Sequence, residues 1–331
     1  MRVMFVGDIN LGEYYTAFGH GPRTYSETND IFESVREVLS KADLVVGNLE
    51  APITNHAFNP RRVESAVLRG NPKHANLLSS AGFKILQVAN NHTVQHGPQG
   101  FWETVETLRA LDIQPIGIAN QSLVALEIGA QTVGFLAASD VPDNTDAQQT
   151  CYQRLDQAFL DRVQQSVKSV DHLFVMLHWG LESSTQTMDY QISIINDLSK
   201  IGVRGIIGAH PHLFYEVWRT NETVAAPSLG NFVFDLFWDS RLLKSGILDI
   251  NLARDGIINC QVWPVSISEQ GGQPTLTGKP QVLDDRLKLY DLGPDMTGEQ
   301  TRKLKKFFSD FMKGNVQLKS QFILKKIVGK I

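Results

Sequence analysis

The chain has 331 residues, 42% of them apolar and 20% charged, with a formal net charge of −4 at pH 7. That length can bury a large core, in one big α/β domain or two smaller ones, and so small an acidic excess argues against nucleic acid as a partner. Cys151 and Cys260 are the only cysteines, too few for a disulfide framework and not at metal-ligand spacing. The apolar run Val3–Val6 is too short for a signal peptide and no run reaches transmembrane length, so the expected compartment is cytoplasmic.

Val3–Val6 reads as a first strand ending in GDINLGE, which puts Asp8 at the carboxyl edge where α/β sheets gather ligands. Ile31, Phe32, Val35, Val38 and Leu39 recur at helical spacing within 29–40, and Leu44–Val46 is a second strand running into GNLEAPIT, which places Asn48 and Glu50 just past its end. The next loop carries Arg61, Arg62 and Arg69, open to two readings: a solvated loop, or recognition of an anionic substrate group. A helix over 72–81 and a strand over 85–88 lead to ANNHTVQHG, with Asn90, Asn91 and His92 at a third strand end. The spacing then predicts a helix over 101–111, strands over 116–118, 123–128 and 133–138 (the last two a hairpin), a polar loop over 140–150 and a helix over 153–169.

A strand over 173–177 meets HWGLE, with His178 at its tip, and a helix through 192–199 leads to IIGAHPH. There a buried strand exits through Gly208 into His210 and His212, two imidazoles flanking a proline that restrains the backbone between them. Further strands are expected at 226–235, 246–252 and 257–266, without intervening helices, and 270–280 reads as a linker. These bounds give a core domain over 1–270 and a C-terminal region over 271–331.

That region differs in charge. From Thr301 onward there are nine Lys/Arg and one acid, a net of +8 against −12 for the remainder. Leu304, Phe307, Phe308, Phe311 and Met312 form one apolar stripe, and Leu324, Ile327, Val328 and Ile331 a second. A basic amphipathic helix of this kind can lie on anionic lipid, dock on a partner, or cap its own domain; on the first alternative the protein is peripheral to the membrane.

The strand-end groups Asp8, Asn48 and Glu50, Asn91 and His92, His178, and His210 and His212 can converge at one edge of a sheet. Carboxylates, imidazoles and carboxamides without thiolates suit Mn, Fe or Zn, and a carboxylate-bridged pair of such ions is a phosphoryl-transfer device.

In order, GDINLG, GNLEAPIT, ANNHT…HG, HWGLE, GAHPH and SLGNFVFD resemble the CapA-type (poly-γ-glutamate capsule synthesis) family of the calcineurin-like metallophosphoesterase superfamily, over about residues 1–250. The resemblance implies an α/β four-layer sandwich, two mixed β-sheets flanked by helices. It also implies a metal-dependent phosphoesterase with two divalent ions, Mn, Fe or Zn. Asp8 and His212 would hold the first ion, Glu50 would bridge, Asn91, His178 and His210 would hold the second, and His92 would be the general acid. Asn48 stands where the wider superfamily has its bridging Asp, Asn10 where it has a His ligand, and Gln95 where CapA-like chains usually carry Asp. Asn10, Asn48, Asn90 and Glu182 are candidates for ligand or supporting roles, Glu182 by hydrogen-bonding a ligand His. Trp179 and Asn231 are candidates, with the three arginines, for lining the substrate pocket. The implied substrate is a phosphorylated small molecule or a polymer-linked one, and the implied partners are capsule or exopolymer synthesis proteins or a membrane surface. The other reading is a non-catalytic assembly component of that machinery.

Overall fold

The computed structural model describes residues 1–56, 68–143, 150–220 and 222–328. The chain starts with β1 (Arg2–Ile9), β2 (Leu44–Leu49), β3 (Phe83–Gln87) and β4 (Gln114–Ile116), then crosses to β5 (Val124–Ile128), β6 (Gln131–Ser139), β7 (His172–His178), β8 (Gly205–Ala209), β9 (Val217–Arg219) and β10 (Val224–Ala226). It returns to the first layer with β11 (Asn231–Val233), β12 (Lys244–Ala253), β13 (Gly256–Ile267), β14 (Pro274–Leu276) and β15 (Gln281–Val282), and β16 (Arg286–Leu287) goes back to the second. The helices are α1 (Pro22–Tyr25), α2 (Glu33–Leu39), α3 (Asn76–Ser80), α4 (Gly97–Ala110), α5 (Gln157–Ser166), α6 (Asp189–Lys200), α7 (Glu299–Asp310) and α8 (Val316–Ile327).

Among the described residues these strands make two mixed sheets. The first has nine strands, in the order β14-β13-β12-β1-β2-β3-β4, with β11 paired to β1 and β15 to β13. The second has seven, in the order β16-β9-β10-β8-β7-β6-β5. Central strands such as β7 (HLFVMLH) are buried along their whole length, as expected of parallel strands covered on both faces. Edge strand β5 alternates exposed and half-buried residues. Val3, Phe5, Val46, Ile85, Phe135, Phe174 and Ile207 fill the space between the sheets; Phe5 and Phe174 meet there with ring centroids 4.9 Å apart. A second core packs α2, α3 and α4 on the outside of the first sheet, and a third packs α5 and α6 on the outside of the second. The result is the expected four-layer sandwich.

Several element bounds differ from the expectation for identifiable reasons. The helix expected from 153 starts at 157, because the Asp156 side chain accepts from the Phe159 N–H at 2.8 Å and caps the helix there. The strand expected over 226–235 is two short ones in different sheets, β10 and β11. Pro227 between them has no N–H to continue a ladder, and Gly230 turns the chain at φ +69°. The stretch read as a linker carries β14: Gly271 and Gly272, both at positive φ, turn the chain back onto β13, with the Ser268 N–H on the Gln273 carbonyl at 2.9 Å. The region expected as linker plus helices thus also supplies strands to both sheets.

α7 and α8 lie against the body through their inner faces. Phe307 is buried and Phe322 stacks on Tyr15 at 4.8 Å, while Arg302 pairs with Asp239 and Lys306 with Glu269. Charge asymmetry is therefore part of the tail's attachment. Leu304, Phe308, Met312, Leu324, Ile327 and Val328 stay exposed; Ile331 lies outside the described residues. No helix among the described residues is long and apolar enough to cross a membrane.

Candidate metal centre

Both sheets deliver their carboxyl ends to one place. Asp8, at the end of β1, is flanked in register by Asn48 of β2 on one side and Asn231 of β11 on the other. Glu50 follows β2, Asn90 to His92 follow β3, His178 ends β7, and His210 and His212 follow β8. The approach of β8 to the loop after β10 depends on Gly208, where a Cβ would lie 1.8 Å from the Pro227 carbonyl oxygen. His210 and His212 both sit in the left-handed region, at φ +99° and +60°. Non-glycine residues hold that conformation only where the surroundings impose it. Pro211 and the buried walls do so here, which fixes two imidazoles at the mouth.

Asp8, Glu50 and His178 are fully buried, and Asn91, His210 and His212 nearly so. Asn48 Nδ2 donates to Asp8 Oδ1 at 2.8 Å and to Glu50 Oε2 at 2.7 Å, tying the two carboxylates together. His212 Nδ1 lies 3.0 Å from Asp8 Oδ2 and 2.9 Å from Asn231 Oδ1. His178 Nε2 lies 2.8 Å from Asn91 Oδ1. Glu50 is central, with Oε1 3.7 Å from His92 Nε2 and Oε2 3.7 Å from His178 Nδ1. Ligand atoms of Glu50, His178 and His210 all lie within 4.8 Å of one another.

The electrostatics are those of a buried cluster of carboxylates and imidazoles. Burial, with the Asp8 charge beside it, pushes the Glu50 carboxyl well above the usual range. Burial also lowers His178 well below its ordinary value, reinforced by His210, and lowers His210 to about 4. His212 goes the other way: burial alone would lower it, but the Asp8 hydrogen bond and charge outweigh that and raise it to about 9. Glu50 Oε1, His210 Nδ1 and Asn48 Oδ1 are buried without a hydrogen-bond partner, and an unpaired buried polar atom is costly. Two ligands each about 2.1 Å from one ion, near right angles, are about 3 Å apart. The Asn91–His178 spacing fits that distance, and neutral imidazoles with carboxylates are a donor set for Mn, Fe or Zn.

Around this cluster the candidates separate. His92 Nδ1 lies 3.0 Å from Gln95 Oε1, and burial lowers its pKa to about 4. Asn90 is used structurally, its amide donating to the Leu49 carbonyl at 2.8 Å and accepting from the His92 N–H at 3.0 Å. Asn231 holds His212 and donates to the Leu242 carbonyl at 2.9 Å, so it positions a candidate ligand instead of lining an open pocket. Asn10 commits both ends of its amide, to Asp235 Oδ1 at 3.1 Å and to the Gly12 N–H at 2.7 Å.

Two expectations need correction. Trp179 is fully buried in the core beneath α6, with its indole N–H on the Pro227 carbonyl at 3.0 Å, so its ring forms no substrate wall. Glu182 makes no hydrogen bond to a ligand histidine; it sits on the rim, 45% exposed, 3.7 Å from Lys303 Nζ. Arg69 is half-buried and donates to the Thr54 carbonyl at 3.0 Å, while Arg61 and Arg62 lie outside the described residues. Asp235 was not singled out, although it closes the SLGNFVFD motif. It is fully buried, accepts from the Tyr14 N–H and from Asn10, and burial pushes its carboxyl up to about 8.

The family model described as bacterial capsule synthesis protein PGA_cap matches residues 2–236. PGA biosynthesis protein CapA of Bacillus subtilis (strain 168) is 27% identical over 284 residues, which is 83% of this chain and 73% of that protein. Capsule biosynthesis protein CapA of Bacillus anthracis is 24% identical over 289 residues, 83% of this chain and 69% of that protein. Among solved structures, sulfate thiohydrolase SoxB of Thermus thermophilus superposes with a TM-score of 0.52 at 12% identity, covering 80% of this chain and 56% of that one. That is a likeness of fold alone, and the four-layer sandwich is metallophosphoesterase-like.

Proposed function

The chain belongs to the bacterial capsule synthesis protein PGA_cap family, and on that premise we propose that it is a metal-dependent phosphoesterase acting in capsule or exopolymer biosynthesis of the poly-γ-glutamate type. The observation that carries this reading is the buried pair Asp8 and Glu50, set among imidazoles, with Glu50 Oε1 and His210 Nδ1 left without a hydrogen-bond partner. Asp8 and His212 would hold one divalent ion and Asn91, His178 and His210 a second, with Glu50 between them; the donor set supports Mn, Fe or Zn. Ions so held supply Lewis acidity to a phosphoryl oxygen and a nucleophile at neutral pH.

The chain's own contribution is positioning and proton delivery. Asn48 keeps the two carboxylates in a fixed relation, and Asn231 keeps His212 Nδ1 engaged, which leaves Nε2 as its donor atom. His92 is the group for the leaving oxygen, since its Nδ1 is held by Gln95 and its Nε2 faces the Glu50 carboxylate. A carboxamide, unlike a carboxylate, can serve either ring tautomer. As placed, Gln95 Oε1 accepts from Nδ1–H, so Nε2 carries the proton that general-acid work needs in the imidazolium form. The substrate is a phosphorylated small molecule or a polymer-linked phosphoester. The exposed apolar stripe of α7 is the face offered to a capsule-synthesis protein.

One observation favours a non-catalytic assembly role. Asn10, standing where the superfamily has a His ligand, has both amide ends committed within the protein, which leaves the first ion fewer ligands. The deciding experiment is metal analysis of the purified protein, followed by a panel of phosphomonoesters and phosphodiesters with Mn²⁺ added back. Hydrolysis by the metal-loaded protein supports the enzyme; full metal occupancy with no hydrolysis of any ester supports the assembly component.

A further inference from the structure

One wall of the site is built by a part of the chain that the family model does not reach. Ala51 and Leu213, the residues immediately after Glu50 and His212, pack in a small apolar cluster with Tyr14, Trp238, Leu292 and Met296. Tyr14 and Trp238 have ring centroids 5.7 Å apart, and Lys303 of α7 places its ammonium 4.4 Å from the Trp238 ring centroid. Lys303 is only 17% exposed and is shared by two carboxylates: Glu299, one turn earlier in α7, and Glu182 across the rim at 3.7 Å. Glu182 lies in the field of His212, His210 and His92 as well as Lys303, so the ammonium and the histidine cluster act on the one carboxylate. The loop carrying Glu182 is tied to the same C-terminal segment, with the Thr185 N–H and Oγ1 on Asp295 Oδ1 at 2.9 and 2.8 Å.

Two features of this wall are unfinished. Trp238 Nε1 is buried with no acceptor, and the Glu182–Lys303 contact is longer than a charge-assisted hydrogen bond, with a carboxylate 45% exposed on one side. We propose that Tyr14, Trp238 and Lys303 form a substrate subsite beside the metal cluster that takes a carboxylate-bearing group of the phosphoester. The substrate carboxylate replaces Glu182 on Lys303, so the ammonium keeps the same number of anionic partners. Trp238 Nε1–H gains the acceptor it lacks, and the Tyr14 and Trp238 rings cover the apolar stem that carries the carboxylate. Lys303 is then a specificity residue supplied by the C-terminal segment, and Glu182 is its resident competitor.

The proposal rests on the phosphoesterase reading, and the test separates the two. The quantity measured is the ratio of kcat/KM for 4-carboxyphenyl phosphate to that for phenyl phosphate, in metal-loaded wild type and variants. Leaving-group effects cancel when this ratio is compared between proteins. Lys303→Met should lower the ratio about tenfold, as for loss of a hydrogen bond to a charged group. Lys303→Arg should largely retain it, and Glu182→Gln should raise it by removing the competitor. A purely structural ion pair predicts the same direction for Lys303→Met and Glu182→Gln, so opposite signs mark a subsite. A ratio unchanged in both variants overturns the proposal. Should neither ester be hydrolysed, the phosphoesterase reading fails. The subsite is then judged by the binding ratio of the same two compounds, followed by tryptophan fluorescence, with the same expected order and the same overturning result.

Discussion

Two fully buried carboxylates, Glu50 at the strand ends and Asp249 on β12, show what distinguishes this site from the rest of the fold. Asp249 is satisfied by the protein: Arg2 Nη2 and Gln261 Nε2 each donate to it at 2.7 Å and Trp263 Nε1 at 3.1 Å. Burial would raise its carboxyl, but those donors, Arg2 first, hold it below the usual carboxylate range. Glu50 has one amide hydrogen bond, a carboxylate neighbour and an oxygen without a hydrogen bond, and its carboxyl is raised. A buried charge is tolerated only when something neutralises it. At Asp249 a cation of the chain does so through direct hydrogen bonds; at Glu50 the charge of His212 acts without one, and the proposed metal ions would supply the rest.

The largest effects that would test this contrast come from removing proposed ligands. Glu50→Ala and His210→Ala should lose bound metal and hydrolysis together, whatever the leaving group. Changes in groups that only support ligands already cost about 10–100-fold in metal affinity. Elemental analysis alongside activity checks this, and either variant with full metal content would remove that residue from the ligand set.

His92→Ala should lose about 10²–10⁴-fold in kcat while keeping its metal, the range for general acid–base catalysis. The loss should be smaller for an activated aryl phosphate than for an alkyl ester, since a good leaving oxygen hardly needs a proton. Loss of metal as complete as in His210→Ala would make His92 a ligand.

A stability comparison addresses the two carboxylates directly. In metal-free protein at pH 7, Asp249→Asn should destabilise by about 2 kcal/mol, as for hydrogen bonds to a charged group. Glu50→Gln should be neutral or stabilising, because it removes a buried charge. The Asp249 carboxyl is held low in the fold, so its contribution is complete above the unfolded value, about 3.9, and is lost as pH falls through the depressed folded value. The gap between wild type and Asp249→Asn should therefore close in acid. Denaturant titrations across that range check this; a gap that widens in acid would reverse the assignment.

The smallest effect concerns α7. Its links to Asp239, Glu182 and Glu269 are side-chain ion pairs that each have one partner at the surface; such pairs are worth about 0.2–1 kcal/mol and are screened by salt. Amide exchange in α7 should therefore speed up severalfold between 0.05 and about 1 M salt, while exchange in β1, β2 and β7 stays unchanged. No acceleration in α7 would mean that it is held by its apolar contacts instead.

Local pattern in the chain was enough to identify most of the strands, the polar groups at their carboxyl ends and the charge asymmetry of the tail. An apolar run with a polar exit is a property of neighbouring residues, and a parallel strand buried on both faces writes that run plainly. The ordered motifs also carried the family, because each is short, local and tied to a strand end. Other features were decided by residues far apart in sequence. Trp179 looks like a wall residue beside His178, but the closeness of β8 and the loop after β10, set by Gly208, turns its indole onto Pro227. Glu182 lies in the same motif, yet its partner is Lys303, 121 positions away in the chain. Asn48 and Asn231 take their roles only because β2 and β11 both pair with β1 and bring their amides to either side of Asp8. Which groups lie at strand ends follows from the sequence; which of them are spent on one another and which are left for a ligand follows only from the packing of two sheets, because hydrogen bonding and burial depend on neighbours that no local pattern specifies.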